Sequence, residues 1–267
     1  MKRYFVKPGS KVDLSKHDPD DRSAFEGNKK KGEKTLRSLI GRIREQQWVL
    51  YAEHRHKILI VLQAMDTGGK DGTIRSIFRY IDPLGVRVVN FKTPTEPELD
   101  HDYLWRIHRH VPGRGEIVVF NRSHYEDVLI VRVHNLVPKS IWSNRYRHIN
   151  EFERMLSEEG TTIIKFFLNI SPGEQLKRLR ARLKNPDKNW KFSTQDLEER
   201  KLWPDYIKAY ETVLNRTSTD WAPWYVVPAD RKWYRNVVVA NVIADALEGL
   251  KMKFPEPKED LTKINLK

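Results

Sequence analysis

Apolar residues fall along this chain in two rhythms. Five runs are nearly continuous, over 58–62, 86–91, 117–120, 163–170 and 224–227. Runs of this length predict strands, and the lack of alternation predicts strands covered on both faces. Between them the apolar positions recur at helical spacing, which predicts helices over 73–81, 97–110, 140–157, 173–184, 197–216 and 233–250. Leu36, Leu39, Ile40, Ile43 and Trp48 add an amphipathic helix over 33–53, ahead of the first strand. Strands alternating with helices imply a parallel sheet with right-handed crossovers. The fold class is therefore α/β, in one domain spanning 1–267. Residues 1–32 are mostly polar and end in Lys29-Lys30-Lys31 and Gly32. They read as an arm, with a short element near residues 4–6. Residues 254–267 read as a polar tail.

In such sheets ligands bind beyond the carboxyl ends of the strands. The segments after the first, second and third strands should then lie together. The first carries the strongest chemical signal: residues 58–74 read ILIVLQAMDTGGKDGTI. Strand, glycine loop, lysine, helix is the layout of a phosphate-binding P-loop. Gly68 and Gly69 let backbone N–H groups approach phosphate oxygens, the helix N-terminus adds partial positive charge, and Lys70 reaches along the phosphate chain. Two positions depart from G-x-x-x-x-G-K-[ST]: Ala64 replaces the first glycine and Asp71 the hydroxyl residue that touches Mg²⁺. Asp66, inside the loop, is a carboxylate suited to supply that contact. The plainer alternative is a glycine-rich turn entering a helix with no ligand.

After the third strand comes Asn121-Arg122-Ser123-His124-Tyr125-Glu126-Asp127. An acid at such a strand end would hold Mg²⁺ in a Walker-B arrangement. Asn121 stands at that place, and Glu126 and Asp127 follow within a turn or two. Arg122 suits bidentate phosphate binding. Ser123 with Glu126 three residues later also forms a capping-box pattern, which is compatible with either role. The helix after residue 170 carries Lys177, Arg178, Arg180, Arg182 and Lys184. Arg178 and Arg182 share one face, and the 171–195 segment reads as a basic lid closing over phosphates to exclude water. The competing reading is a solvated helix face. The nine histidines include no H-E-x-x-H spacing and read as surface or core residues. Trp221, Trp224 and Trp233 read as core and interface rather than a base-stacking platform.

Charge sharpens the picture. Lys plus Arg number 49 against 36 Asp plus Glu, a net of +13, so an anionic partner is expected. Cysteine is absent, which removes disulfides and thiolate chemistry and fits a reducing compartment. No run of 18 apolar residues and no signal-peptide core occur, so the expectation is a soluble, cytoplasmic protein without a membrane partner.

Taken together, AMDTGGKDGTI (64–74), PTEPEL (94–99), FNRSHYEDV (120–128), RLRARLKNPDKNWKF (178–192) and APWYVVPADRKWYRN (222–236) resemble the second type of polyphosphate kinase across 18–250. The resemblance implies a P-loop, nucleotide-kinase-like fold with a mobile lid. It implies Mg²⁺-dependent transfer of the terminal phosphate of inorganic polyphosphate to AMP or ADP, giving ADP and ATP. By the same resemblance Gly68, Gly69, Asp71, Gly72 and Thr73 would hold phosphates, and Asp66 would bind Mg²⁺ with help near Asn121 or Asp127. Lys70, Arg122, Arg178 and Arg182 would neutralise the transferring phosphate, while Arg132 and Lys92 would line a polyanion channel. Asn121, Tyr125 and Glu126 would face the nucleotide, and the Asn121 and Glu126 pairing resembles the subgroup that accepts both AMP and ADP. A homo-oligomer is expected. The rival readings are an ATP-dependent nucleotide kinase and a non-catalytic, nucleic-acid-binding P-loop protein. Asp66, Glu126 and Asp127 count against a nucleic acid.

Overall fold

The structure, a computed structural model, describes residues 1–264. The end of the polar tail expected over 254–267 lies outside the described residues. Five strands form one parallel sheet: β1 (Lys57–Ala64), β2 (Val86–Asn90), β3 (Ile117–Asn121), β4 (Thr161–Asn169) and β5 (Trp224–Pro228), in the order β2-β3-β1-β4-β5. All five lie where the apolar runs placed them. The reason is visible in β1, where Ile58, Leu59, Ile60, Val61 and Leu62 are at most 1% exposed. Such a strand needs helices on both faces, and each buried aliphatic side chain there contributes about 1.5–3 kcal/mol.

The helices are α1 (Lys29–Glu53), α2 (Lys70–Phe78), α3 (Glu96–Leu99), α4 (Trp105–His108), α5 (Ile130–Val133), α6 (Lys139–Glu158), α7 (Pro172–Lys184), α8 (Gln195–Lys201), α9 (Trp203–Thr217) and α10 (Lys232–Gly249). α1, α2 and α10 pack together, whereas α6 and α9 pack with the segment after β3. A Cβ at Gly32 would collide with the Trp233 ring, so that glycine sets how closely α1 meets α10.

Three differences from the sequence reading have local causes. The helix expected over 97–110 is two short pieces, because Thr95 and Glu98 close a capping box on α3 and Asp102 restarts the chain by accepting from Leu104 N. The helix expected over 197–216 breaks at Leu202, where Pro204 suits the first turn of a new helix and cannot continue an old one. The stretch 1–32 is no free arm. Tyr4, Val6, Val12 and Leu14 are buried, Val6 N donates to Trp224 O at 2.8 Å, and Phe5 bridges Tyr225 on the β5 edge. An edge strand has unpaired backbone groups, and this segment satisfies some of them. The basic run at 29–31 is the first turn of α1, capped by Asn28, whose side chain accepts from Lys31 N at 3.0 Å.

Candidate active site

β1 ends at Ala64, and residues 65–69 turn the chain into α2. A Cβ at Gly68 would overlap Ala64 and come within 2.7 Å of Met65 O, so only glycine closes this turn. Gly69 has φ +105, a conformation natural to glycine. Lys70 is the first residue of α2, and its Nζ donates to Ala64 O at 2.9 Å across the loop. Removal from water and the neighbouring Arg122 lower the Lys70 ammonium, while Asp66, Glu126 and Asp71 act in the opposite direction. These five side chains therefore share one electrostatic neighbourhood.

Arg122 has φ +63, beyond the end of β3, and its Nη2 donates to Asp66 Oδ1 at 3.0 Å. Backbone strain of this kind is retained where surrounding contacts impose it. Asp66, Arg122 and Glu126 line a cleft of about 240 Å³ closed on its far side by Gln175, Asp196, Glu199, Tyr206 and Tyr210. Gln175 Nε2 also donates to Asp66 O at 3.1 Å. The segment 185–201 faces α2: Lys191 Nζ meets Asp71 Oδ2 at 2.8 Å, and Asn121 Nδ2 donates to Asp71 Oδ1 at 2.9 Å. Partial burial works against the Asp71 charge, yet those two donors hold its carboxyl below the usual range. Arg182 Nη1 bonds Asp196 Oδ2 at 3.0 Å. Burial and the facing Asp66 nevertheless raise the Asp196 carboxyl.

The sequence-selected residues divide in two. Asp66, Gly68, Gly69, Lys70, Asp71, Gly72, Asn121, Arg122, Glu126 and Arg182 lie around this loop and cleft. The others are placed differently. Thr73 is fully buried and its hydroxyl donates to Gly69 O at 3.1 Å, so its side chain does not face a phosphate. Tyr125 is fully buried, with its hydroxyl bonded to Glu153 at 2.8 Å and to Lys165 at 2.8 Å, which removes it from nucleotide contact. Asp127 pairs with Arg145 at 2.8 Å, away from Asp66, and burial raises its carboxyl to about 6. It is not a metal ligand beside the loop. Arg132 turns to the Trp142 ring and the Tyr146 hydroxyl. Lys92 is exposed beyond β2, and no contact ties its ammonium to the loop. Neither lines the cleft.

Arg178 reaches the loop but is a clamp. Its Nε bonds Glu174, its Nη1 bonds Thr67 O and Gly68 O, and its Nη2 bonds Ala229 O and Asp230 O. Every donor of the guanidinium is occupied. It ties the P-loop to the end of β5 rather than offering a free fork to phosphate. Sequence reasoning did not single out Lys191, Asp196, Gln175 or Arg235, the last of which packs against Gly69 and Gly72. Lys191 and Arg235 lie inside segments that carried the family resemblance, yet nothing local distinguished them from neighbouring basic residues.

A parallel sheet whose central strand runs into a glycine loop, a lysine and a helix N-terminus, with an arginine and acids beyond the adjoining strand, defines a P-loop phosphotransferase. Comparison with known proteins sharpens the class. The model of the polyphosphate kinase 2 family matches residues 26–255, and the chain belongs to that family. It is 57% identical over 264 residues to an AMP/ADP-polyphosphate phosphotransferase of Meiothermus ruber, covering 99% of each chain. It is 48% identical to an ADP-polyphosphate phosphotransferase of Rhodopseudomonas palustris, covering 96% of this chain and 92% of that one. The crystal structure of polyphosphate kinase 2 from Arthrobacter aurescens superposes with a TM-score of 0.93 at 44% identity, over 97% of this chain and 95% of that one.

Proposed function

We propose that this enzyme transfers the terminal phosphate of inorganic polyphosphate to AMP and ADP. The observation that carries the reading is Lys70 at the start of α2, grouped with Asp66 and Arg122 at the mouth of a cleft walled by Glu126 and Tyr206. The relatives named as AMP/ADP- and ADP-polyphosphate phosphotransferases support the donor and the acceptors. An ATP-dependent kinase and a non-catalytic binding protein find no comparable support.

The chain's own groups divide the labour. Backbone N–H groups of the loop and the N-terminus of α2 cradle the donor's end. Lys70 and Arg122 balance charge on the transferring phosphoryl group, whose transition state is loose and metaphosphate-like. An acceptor phosphate oxygen forms the new P–O bond, the bond to the bridging oxygen breaks, and the polyphosphate leaves one unit shorter. The 185–201 segment covers the cleft and excludes water as a competing acceptor.

Of the four carboxylates lining the cleft, Asp66 and Glu126 are the two that act on Arg122, and no compact group of three or more His, Asp or Glu occurs among the described residues. That set fits Mg²⁺, which takes one or two carboxylates and fills its shell with phosphate oxygens and water. When bound, the ion would neutralise phosphate oxygens as charge develops. No helix among the described residues is long and apolar enough to cross a membrane, and we place the reaction in the cytoplasm. We also expect a homo-oligomer, since Trp48, Leu84 and Val88 leave apolar surface on α1 and beside the β2 edge. Sedimentation at micromolar concentration tests this, and a monomer there would refute it.

The deciding assay measures ATP made from long-chain polyphosphate with ADP, then with AMP, with and without Mg²⁺. ATP from both acceptors only with Mg²⁺ is the expected result. ATP from ADP alone would remove AMP from the proposal. No transfer from polyphosphate would overturn it.

A further inference from the structure

Arg235, in the first turns of α10, is 2% exposed. Its Nε and Nη2 both donate to Asn236 Oδ1, at 3.1 and 2.8 Å. Among the described residues its Nη1 has no acceptor and the guanidinium has no carboxylate partner. The interior arginine beside it is differently served, because Arg178 has Glu174 and four carbonyls. Nη1 of Arg235 lies where a Cβ on Gly69 would be, and Nη2 lies 3.4 Å from a Cβ position on Gly72. Nη1 of Arg178 is 3.5 Å from the same Gly69 position, so the charge that acts on Arg235 here is a second cation. Removal from water and Arg178 push the Arg235 guanidinium down to about 9, and burial and Arg178 also lower Lys232 on the same helix.

A buried cation without a counter-charge is costly, and that cost is set against the phosphate loop. Glycines at 69 and 72 are what let the guanidinium come so close. We propose that Arg235 is a positioning residue for the phosphate donor, held beside Gly69 and Gly72 so that bound polyphosphate supplies its missing counter-charge. The proposal rests on polyphosphate as donor. It gives the bare loop a positive field that the loop sequence alone does not contain, and it makes the donor, rather than the acceptor, the ligand that Arg235 serves.

The test is Arg235→Met, which keeps length and removes charge, with Arg235→Lys as the charge-retaining partner. Long-chain polyphosphate is the probe. Arg235→Met should raise the KM for polyphosphate at least about tenfold, as expected for a lost charged contact, and leave the KM for ADP within about twofold. The salt dependence of polyphosphate binding should become shallower by about one ion. The unliganded variant should melt no lower than the wild type, since an uncompensated buried charge is gone, while the melting shift produced by polyphosphate shrinks. Arg235→Lys should recover part of the KM and of that shift. An unchanged polyphosphate KM and melting shift in Arg235→Met would overturn the proposal. So would an unfolded or strongly destabilised Arg235→Met, which would make the guanidinium a structural brace. A wild type that takes no phosphate from polyphosphate would instead refute the functional reading.

Discussion

Lys70 and Asp66 test the site one side chain at a time. Lys70 stands at the N-terminus of α2 and Asp66 holds Arg122 at 3.0 Å, so in the transfer proposed above each would contribute charge or charge placement at the moving phosphoryl group. Lys70→Ala and Asp66→Ala should each lower kcat at least about a hundredfold, the scale seen when one preorganised electrostatic contact is lost. Steady-state rates with ADP and polyphosphate check this, and near-normal turnover in either variant would displace the site. Lys70 and Asp66 were legible because a P-loop is local: strand, glycines, lysine and helix follow within 17 residues of ILIVLQAMDTGGKDGTI. Thr73, Tyr125 and Asp127 were not, although they sit beside legible positions. Their side chains point into the core or toward Arg145 because of how α2 and the segment after β3 pack, and spacing along the chain does not encode that. Arg178 shows the same limit from the other side. Its place near the glycine loop was readable from the basic helix, but its five donors are used by backbone carbonyls and Glu174 that only the fold assembles.

At the scale of elements, the positions of the five strands were readable because nearly continuous apolar runs have one use in an α/β fold. The segment proposed as a lid was readable only as a basic stretch. What it grips is a tertiary fact: Lys191 meets Asp71 on α2, and Arg182 meets Asp196. The Lys191 and Asp71 side chains are 27% and 52% exposed, so their ion pair is worth about 1 kcal/mol or less. Its loss should move the midpoint of thermal unfolding by no more than about 2–4 °C. The same weak pair is nevertheless the tie between the 185–201 segment and the loop helix. Lys191→Ala should therefore speed protease cleavage and amide exchange within 185–195 several-fold, while global stability changes little. Polyphosphate should restore protection in the wild type more than in the variant, because Lys191 is a cation facing the loop. If exchange in 185–195 were the same in both proteins, the ion pair would not be what holds this segment against α2.

The molecule as a whole hangs its site on a charged core. Glu153 from α6 and Lys165 from β4 are fully buried and bonded at 2.5 Å, and the Lys165 ammonium also donates to Thr217 O at 2.7 Å and the Tyr125 hydroxyl at 2.8 Å. His124 meets Glu153 at 3.2 Å. This network joins α6, β4 and the end of α9 to the segment that carries Arg122 and Glu126, so the placement of the site and the stability of the fold share residues. Burial alone would raise the Glu153 carboxyl, but the Lys165 ammonium and the His124 ring outweigh it and hold it below its ordinary value. A carboxyl lowered in the folded state adds stability that is fully present above its ordinary value of 4.5 and is lost as pH falls through the lowered one. Glu153→Gln keeps an acceptor for Tyr125 but strands the Lys165 charge, and should cost about 3–5 kcal/mol at pH 7. Adding Lys165→Met should restore most of that loss, because two neutral side chains leave no uncompensated charge in the core. Since glutamine does not titrate, the gap between wild type and Glu153→Gln should narrow as pH falls below about 4.5, where the wild type loses the advantage. Urea melts of the wild type, both single variants and the double variant, at pH 7 and pH 4, decide the matter. A double variant as unstable as Glu153→Gln would show that the hydrogen bonds of the network, and not the pairing of its charges, hold the segment after β3 in place.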